Sequence, residues 1–535
     1  MAHSSDPSIT ATGSLPIMPT SRQSDGAHGA LLIDLYELTM AQLYFDEGIH
    51  ETPSMFEHFF RSYPDYGTHQ AGYCIQAGLE GLLDWMQQHH FGDESIEYLT
   101  GLTDQTGRPL FTDAFLTWLG AMSFADLRLW SVPEGRVVHA GVTLSIVEGP
   151  LAVAQILETA LLNHFSYETL IATKASRVRQ SARGRPTLEF GVRRGPEAGA
   201  LAGTRAALIG GATATSYVGA AMQVGAEPAG THGHSMVQAM LALGKGEIGA
   251  FRAYARSFPD ACLLLVDTVD TLNSGLPNAI TVFSELRDQG HEPLGIRLDS
   301  GDLAHLAIRS AQQLNEAGFE DVTIILSSGL DELAIWQIMT QIEQEASKYG
   351  VNSARLIDRL AFGVGTKLLS SDGDPSLDSV YKLVAIDRDG QWVPAVKISE
   401  SPHKTVTPGH KQVVRLYDHR GLAAADVMGL DGEDIAGAEQ IILRHPIRHD
   451  FQRSVGRAEI DHFEPLLEPA WSDGQRMIEP EPLDVPQARR ESDLARLDPG
   501  VKRLMNPHVY HVSLTQALWD LKQDTVEAAS DGWQE

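Results

Sequence analysis

The sequence has little cysteine and few basic residues. Among 535 residues, Cys74 and Cys262 are the only cysteines, and neither lies in a CxxC motif. We therefore expect no disulfide framework and no cysteine zinc site, and this usage fits a reducing cytoplasm. The 41 Lys and Arg stand against 70 Asp and Glu, which gives a net charge of −29. Such a chain repels nucleic-acid backbones and anionic lipid, so neither is expected as a partner.

Long hydrophobic runs are also missing. The longest stretch of small and apolar residues, 206–230, is interrupted by Thr, Ser, Gln and Glu, so no transmembrane helix is predicted. Residues 1–28 are rich in Ser, Thr, Pro and Gly without an apolar segment of signal-peptide length, and we expect a disordered tail there. The remaining composition, 43% hydrophobic and 21% charged, is that of a globular protein with two to four domains.

Short apolar runs alternate with helical patterns in the middle of the chain. The ends of successive runs are separated by about the length of one strand–helix unit, and each run is followed by small or polar residues. Repeated units of this kind predict a parallel α/β sheet, doubly wound or closed as a barrel, with functional groups at the carboxyl ends of its strands. The four clearest runs are 261–266 before Asp267, 294–298 before Asp299, 322–326 before Ser327 and 360–364 before Gly365.

The flanks of this region have different patterns. An amphipathic helix is predicted at 31–44, strands at 380–386 and 412–417, and a helix near 512–521. We divide the chain accordingly into five segments. They are a disordered tail at 1–28, an N-terminal α/β part at 29–150, an α/β barrel at 151–370, a more β-rich part at 371–471 and a C-terminal extension at 472–535.

One hexapeptide places a basic and two acidic side chains at a strand end. In Arg297-Leu-Asp-Ser-Gly-Asp302, the carboxylates of Asp299 and Asp302 are suited to Mg²⁺ or to ribose hydroxyls. Arg297 is suited to a carboxylate or a phosphate. For Asp302, capping of the following helix is an alternative explanation.

Two further strand ends and one other segment carry binding chemistry. The segments 327–331 (SSGLD) and 363–367 (GVGTK) are small-residue loops whose backbone N–H groups are suited to a phosphate, although each alone is also an ordinary strand-to-helix turn. The segment 189–194 (EFGVRR) adds Phe190 and Arg193, a ring and a cation suited to a flat anionic substrate. At least one of its two arginines is expected to face water.

The segment Thr231-His-Gly-His234 leaves three interpretations open. His232 and His234 share a face if the segment is extended, which suits a metal pair. Nucleophilic or acid–base chemistry is the second interpretation, and a hydrogen-bonded structural histidine is the third. The metal pair is disfavoured, because the later strand ends carry Asp, Ser and Thr where further His or Lys ligands are needed.

Together these segments resemble the nicotinate phosphoribosyltransferase family. The matching pieces run from about Leu31 to Tyr417 in the family's order: LLIDLYELTMAQLY, FEHFFR, AGLE, EGPL, LIATKASRVR, LEFGVRR, GTHGHS, LLLVDT, GIRLDSGDL, SSGLDE, GVGTKL and VYKLVAI. One segment differs: SYPDYGTHQ, which follows FEHFFR, departs from the family's usual Gly-rich continuation.

The resemblance implies the type II phosphoribosyltransferase fold, an irregular α/β barrel beside an α/β sandwich built from both chain ends. It implies a cytoplasmic homodimer with active sites at its interface. The implied reaction forms nicotinate mononucleotide and pyrophosphate from nicotinate and phosphoribosyl pyrophosphate, an entry step to NAD. ATP hydrolysis assists through a phosphohistidine, and Mg²⁺ accompanies ATP and phosphoribosyl pyrophosphate without a tightly bound cofactor.

The resemblance also implies roles for single residues. His234 resembles the histidine that takes the phosphoryl group, Thr231 precedes it in the site, and Asp267 and Asp299 resemble the acids near the histidine and the ribose. Nicotinate is expected between Phe190 and a tyrosine of the neighbouring subunit. The remaining implied contacts are Tyr36 as that tyrosine, Arg297 and Arg193 for the pyridine carboxylate or a nearby phosphate, and Gly329, Gly365 and Thr366 for the 5-phosphate.

Ser216 bears on the choice of substrate. Related nicotinamide enzymes carry an acid at the matching place, which accepts from an amide N–H, whereas a neutral serine beside arginines favours a carboxylate. A nicotinamide phosphoribosyltransferase and a catalytically inactive dimeric family member are the alternatives.

Overall fold

The computed structural model describes residues 29–397 and 405–531, so the tail predicted at 1–28 lies outside the described residues. Within these ranges the chain forms one seven-stranded sheet, two six-stranded sheets and one small two-stranded sheet. Among the helices in this part of the chain, none is long and apolar enough to cross a membrane.

The N-terminal segment mixes helices with short strands. Its first helix begins at Leu35 and not at the predicted Leu31, because Leu31–Ile33 pack irregularly against the N-terminal core and Asp34 is extended, with φ −79° and ψ 140°. The elements are α1 (Leu35–Asp46), β1 (Pro53–Phe60), β2 (Cys74–Ile75), α2 (Leu79–Gln88), α3 (Asp93–Thr100), α4 (Asp113–Ala121), β3 (Arg128–Ser131), β4 (Val137–Val138) and β5 (Ser145–Pro150).

The middle of the chain repeats strands and helices as the sequence predicts. Its elements are α5 (Leu151–Ile156), α6 (Glu158–Ser181), β6 (Thr187–Glu189), α7 (Glu197–Ile209), β7 (Ala214–Thr215), α8 (Val218–Gln223), α9 (His234–Ala242), α10 (Gly246–Ser257), β8 (Leu263–Leu265), α11 (Leu276–Asp288), β9 (Gly295–Leu298), α12 (Leu303–Glu316), β10 (Thr323–Ser327), α13 (Glu332–Glu345), α14 (Ser353–Asp358), β11 (Leu360–Val364) and α15 (Thr366–Leu369).

These six strands form one parallel sheet in the order β7-β6-β11-β10-β9-β8. The predicted parallel α/β sheet is confirmed. Its edge strands β7 and β8 do not pair with each other within the described residues, so the irregular barrel is an open half-barrel. The strands are nearly continuous apolar runs because helices cover them; Leu264, Ile296, Ile324 and Phe362 are fully buried. Each such side chain contributes about 1.5–3 kcal/mol of burial free energy.

The C-terminal segment is rich in strands. Its elements are β12 (Ser379–Arg388), β13 (Gln391–Pro394), β14 (Lys411–Asp418), β15 (Ala423–Leu430), β16 (Gln440–Arg444), β17 (Gln452–Gly456), β18 (Ile460–Pro465), β19 (Glu468–Ser472), β20 (Gln475–Arg476), α16 (Asp484–Ala495), β21 (Val512–Leu514) and α17 (Gln516–Asp531).

Both chain ends contribute to one sheet, as the expected α/β sandwich requires. The seven-stranded sheet has the order β13-β12-β1-β5-β3-β19-β20, and β1 pairs antiparallel with β5 and with β12. A second sheet, β17-β16-β21-β15-β14-β18, is built from the C-terminal segment alone.

The prediction of a helix near 512–521 is wrong for residues 512–514. Val512–Leu514 form β21, which pairs in parallel with β15. The helix begins only after Thr515, whose hydroxyl accepts from the backbone N–H of Leu518 at 3.3 Å. An unpaired edge of β15 therefore outweighs local helix propensity in this segment.

Candidate functional site

The carboxyl edge of the half-barrel gathers predicted site residues from every strand. Because the strands are parallel, the loops that follow them leave on the same side of the sheet. Thr231 joins this edge from the loop before α9, and His234 joins it as the first residue of that helix. In sheet order the other residues are Ser216 after β7, Phe190 after β6, Gly365 and Thr366 after β11, Gly329 after β10, Arg297 and Asp299 at the end of β9, and Asp267 after β8.

His234 is the first residue of α9 and is oriented by a carboxylate. Its Nε2 lies 3.0 Å from the Oδ1 of Asp267. A carboxylate only accepts hydrogen bonds, so Nε2 carries the proton and a neutral ring has its lone pair on Nδ1. Among the described residues none bonds to this Nδ1, and the His234 side chain is 38% exposed. The pair therefore presents an oriented nucleophilic nitrogen.

Asp267 is held in turn by the loop after β9. Its Oδ2 accepts from the backbone N–H of Asp299 at 2.9 Å and from the hydroxyl of Ser300 at 2.6 Å. The side chain of Asp267 is only 1% exposed, so these donors satisfy an oxygen that water does not reach. The sequence did not single out Ser300, although it lies inside the acidic hexapeptide.

Arg297 donates to three different side chains. Its Nε lies 2.8 Å from the Ser327 hydroxyl, its Nη1 3.2 Å from the Thr231 hydroxyl and its Nη2 2.9 Å from the Asp299 Oδ1. The guanidinium carbon is also 5.3 Å from the centre of the Phe190 ring. The arginine plane is thus fixed by the ends of β9 and β10 and by the loop before α9, beside an aromatic ring, an arrangement suited to a planar anion.

Asp299 keeps one carboxylate oxygen open. Its Oδ1 accepts from Arg297 and from the Ser327 hydroxyl, the latter at 2.5 Å. No described residue donates to Oδ2, and the side chain is 28% exposed. This oxygen is available to a substrate hydroxyl, a developing positive charge or a cation.

The loop after β10 has an unusual backbone. Ser328 and Gly329 are both in the left-handed region, with φ 100° and φ 58°. A serine at such a φ is strained, and strain of this kind concentrates at binding sites. A Cβ built on Gly329 meets no atom within 4 Å, so the space above this glycine is open.

The loops after β6 and β11 pack against each other. A Cβ on Gly363 stands 2.5 Å from Cε2 of the Phe190 ring, so the ring keeps its position only because residue 363 has no side chain. Lys367 Nζ lies 2.5 Å from Asp331 Oδ2 and joins the β11 loop to the β10 loop. Gly365 is half-buried between these contacts, and Thr366 is exposed.

A buried glutamate organises the loop of Ser216. Glu189 Oε2 accepts from the hydroxyls of Thr204 at 3.2 Å and Thr215 at 2.7 Å, and Oε1 accepts from the backbone N–H of Gly191. The backbone N–H of Ser216 donates to the Glu189 carbonyl at 3.0 Å. Sequence reasoning assigned no role to Glu189, Gly191, Thr204 or Thr215, although Glu189 opens the segment 189–194.

His232 differs sharply from His234. Its Nε2 accepts from the backbone N–H of Leu265 at 3.0 Å, and its ring packs on Tyr254 with centroids 4.9 Å apart. Burial lowers the pKa of His232. Its nitrogen is engaged by β8, so it is a structural histidine, and within the described residues no group of three or more potential metal ligands is assembled.

Two predicted site residues and one alternative make no hydrogen bond or ion pair with this cluster in the described part of the chain. Tyr36 on α1 is 46% exposed in the N-terminal segment, and burial together with Glu158 raises the pKa of its hydroxyl well above the usual range. Arg193 is exposed and makes no ion pair with the described residues. Asp302 caps α12, because its Oδ1 accepts from the backbone N–H of His305 at 3.1 Å.

An ion cluster lies beneath the β10 loop. Glu332, the first residue of α13, is fully buried and contacts His69 at 2.8 Å, Lys174 at 2.7 Å and Arg177 at 3.1 Å. Burial opposes ionisation of Glu332, but these partners outweigh it and hold its pKa well below the usual value. The cluster joins α6 and the segment SYPDYGTHQ to the start of α13.

Family models match most of the chain. The model described as the nicotinate phosphoribosyltransferase N-terminal domain matches residues 31–166. The model described as the nicotinate phosphoribosyltransferase family matches 187–422, and that of the C-terminal domain matches 410–522.

Individual relatives agree over similar lengths. The chain is 38% identical to nicotinate phosphoribosyltransferase of Bacillus subtilis, over 93% of this chain and 95% of that protein. It is 31% identical to the Caenorhabditis elegans protein of the same name, over 91% of this chain and 92% of the other. The crystal structure of human nicotinic acid phosphoribosyltransferase superposes with a TM-score of 0.74 at 30% identity, covering 92% of this chain and 99% of the human one. The chain therefore belongs to the nicotinate phosphoribosyltransferase family.

Proposed function

We propose that this chain joins nicotinate to the ribose of phosphoribosyl pyrophosphate, with ATP hydrolysis coupled through phosphorylated His234. The pyridine nitrogen bonds to ribose C1 while the bond from C1 to pyrophosphate breaks, which gives nicotinate mononucleotide for NAD biosynthesis. The observation that carries the proposal is the oriented His234–Asp267 pair on the same strand edge as Arg297 and Phe190.

In the phosphoryl step, His234 Nδ1 attacks the γ-phosphorus of ATP and the bond to the ADP oxygen breaks. Asp267 accepts the Nε2 proton in a hydrogen bond and stabilises the positive charge that the ring acquires. Water later cleaves the phosphorus–nitrogen bond, which releases phosphate and restores the neutral ring. Thr231, which accepts a hydrogen bond from Arg297, lies in the loop that leads into α9 and His234.

In the ribosyl step, the site must hold a flat carboxylate, a phosphate and a carbon with cationic character. Arg297 over the Phe190 ring suits nicotinate, with the exposed Arg193 as a second cation on the same loop as Phe190. The open oxygen of Asp299 stabilises positive charge at ribose C1. The backbone around Gly329, Gly365 and Thr366 is the proposed 5-phosphate site.

Mg²⁺ fits this site as a companion of the phosphate substrates. The open Asp299 Oδ2 is a single hard oxygen ligand, and no described cluster of three or more ligands offers a resident site. That donor set suits a cation that takes most of its ligands from phosphates and water. When bound, the ion neutralises charge on the pyrophosphate leaving group.

The acid of a nicotinamide site has no counterpart at Ser216. Glu189, whose carbonyl binds the Ser216 N–H, is buried and has both carboxylate oxygens engaged by Thr204, Thr215 and Gly191. Glu189 therefore does not stand in for that acid as the acceptor for a carboxamide N–H, which supports nicotinate over nicotinamide. Comparable turnover of nicotinate and nicotinamide by the purified protein would contradict the assignment of nicotinate as the substrate.

A homodimer is part of the proposal. Val218, two residues after Ser216, is 68% exposed, and Val269, two residues after Asp267, is 58% exposed. A second subunit that covers the binding edge would take both valines out of water. Tyr36 is proposed to reach the site of the second subunit across this contact. A cytoplasmic location is also proposed, in keeping with the unpaired thiols of Cys74 and Cys262.

Labelling with γ-labelled ATP tests the central step. We expect acid-labile, base-stable phosphate on the wild-type protein and on His232→Ala, but not on His234→Ala. Release of ADP that requires nicotinate and phosphoribosyl pyrophosphate distinguishes a coupled enzyme from an inactive binding scaffold. Label that survives in His234→Ala contradicts the assignment.

A further inference from the structure

A separate basic cavity of about 400 Å³ lies against the hairpin that joins β16 to β17. No Asp or Glu lines it, although acidic residues outnumber basic ones by 70 to 41 in the whole chain. The site residues at the carboxyl edge of the half-barrel do not line it either. Its cationic and imidazole side chains are Arg61, Arg448, Arg453, His445, His508 and His511.

Arg453 is the least satisfied of these groups. It makes no ion pair with the described residues, and its Nε is buried without a hydrogen-bond partner. Burial lowers the pKa of Arg453. A half-buried guanidinium with an unused donor costs free energy that an anion bound in the cavity recovers.

Two imidazoles add donors. The Nδ1 of His445 accepts from the backbone N–H groups of Ile447 and Arg448, both at 3.1 Å, so the proton of a neutral ring is on Nε2. Burial, and then Arg453, lowers the pKa of His511, because like charges in this cavity repel. The cavity thus combines cations and N–H donors without a carboxylate among its walls.

An aromatic ring stands at the cavity beside a cation. Phe451 is 42% exposed, and the guanidinium carbon of Arg448 lies 4.6 Å from its ring centre. Ile447 and Val509 are exposed by 41% and 75% in the same lining. These groups are suited to a flat, weakly polar moiety next to a phosphate chain.

We propose that this cavity binds a phosphate chain, either free pyrophosphate or that of a nucleotide whose base rests on Phe451. Arg453 is the inner anion contact, and Arg448 and His511 complete the cradle.

Calorimetric titration of the full-length protein with pyrophosphate tests the proposal. We expect two classes of site in the wild type, one at the carboxyl edge and one in the cavity. Arg448→Gln with Arg453→Gln should weaken one class by about tenfold or more, since each removed charge-assisted hydrogen bond is costly. Arg297→Gln should weaken only the other class. Arg252→Gln, a surface arginine paired with Glu285, is the matched control and should change neither.

The outcomes separate this proposal from the catalytic one. A wild-type isotherm that superimposes on that of the double variant overturns the cavity, as does a single class that Arg297→Gln abolishes. If Arg297→Gln leaves both classes intact, Arg297 is not a pyrophosphate contact, its proposed role toward nicotinate is judged by the KM for nicotinate, and the cavity stands. If the double variant lacks a cooperative melting transition, a second double variant, Arg448→Gln with His508→Gln, replaces it. This variant alters only exposed side chains and is expected to weaken the same class of site.

ATP and adenosine identify the source of the phosphate chain. Tighter binding of ATP than of pyrophosphate at the cavity, reduced by Phe451→Ala, indicates a nucleotide. Equal binding that is unaffected by Phe451→Ala indicates pyrophosphate, and adenosine binding equal to that of ATP contradicts an anion site.

Discussion

His234 Nε2 and Asp267 Oδ1 are 3.0 Å apart, and the second oxygen of the same carboxylate is fixed by the backbone of Asp299 and the hydroxyl of Ser300. The loop that carries the proposed ribose contact thereby also sets the orientation of the proposed phosphoryl carrier. In the proposed mechanism, the residues for ATP cleavage and for ribose capture therefore belong to one hydrogen-bonded unit.

Asp267→Asn should slow phosphorylation of His234 by about a hundredfold or more, because the amide removes the charge that stabilises the ring cation and permits the wrong tautomer. The measurement is the rate of label incorporation from γ-labelled ATP. Asp302→Asn, which changes only the cap of α12, is the matched control and should label normally. Equal rates for the two variants contradict the role of Asp267.

Arg297→Lys should raise the KM for nicotinate by about tenfold or more, because an ammonium cannot reach Ser327, Thr231 and Asp299 from one plane. Steady-state kinetics with varied nicotinate provide the check. Arg252→Lys keeps an exposed cation outside the site and should leave KM unchanged. An unaltered KM in Arg297→Lys shows that nicotinate does not use this fork.

Gly363→Ala should displace the Phe190 ring, since the new methyl group stands 2.5 Å from a ring carbon. We expect a loss of about 1–3 kcal/mol in the free energy of unfolding and weaker nicotinate binding. Denaturant titration and KM report the two effects. Gly199→Ala on α7 meets only ordinary contacts at 3.4 Å or more, and should be neutral or slightly stabilising.

Glu332→Gln should destabilise the fold by about 3–5 kcal/mol, because Lys174 and Arg177 stay buried without their anion. The folded-state pKa of Glu332 lies below its ordinary value of 4.5, so its contribution is present above pH 4.5 and is lost as the pH falls below it. The difference in Tm between wild type and variant should therefore be constant from pH 7 down to about pH 4.5 and should narrow below it. Glu343→Gln, in an exposed pair with Arg183, is the control. It should change the free energy of unfolding by about 0–1 kcal/mol both above and below pH 4.5.

Mixing Tyr36→Ala with His234→Ala tests whether the tyrosine acts on the other subunit. Each variant alone should be inactive, but a heterodimer has one site with both wild-type residues. Random exchange makes half of the dimers mixed, with one intact site of two, so about a quarter of wild-type activity should return. No recovery after verified subunit exchange places Tyr36 and His234 in the same subunit's site.

Periodicity and turn residues in the sequence determined the half-barrel. The nearly continuous apolar runs before Asp267, Asp299, Ser327 and Gly365 are the strands β8, β9, β10 and β11, because strands covered on both faces bury most of their side chains. Their polar ends meet at one edge for the topological reason that parallel strands end on the same side.

Tertiary structure alone decided which of these groups act together. His232 and His234 are alike in sequence, but only packing against β8 engages the first and leaves Nδ1 of the second open. Glu332 and its partners His69, Lys174 and Arg177 come from distant segments, so no local pattern marks them. The strand at 512–514 likewise depends on the free edge of β15. Local sequence fixes which groups stand at the strand ends, whereas long-range packing sets their distances, tautomers and partners.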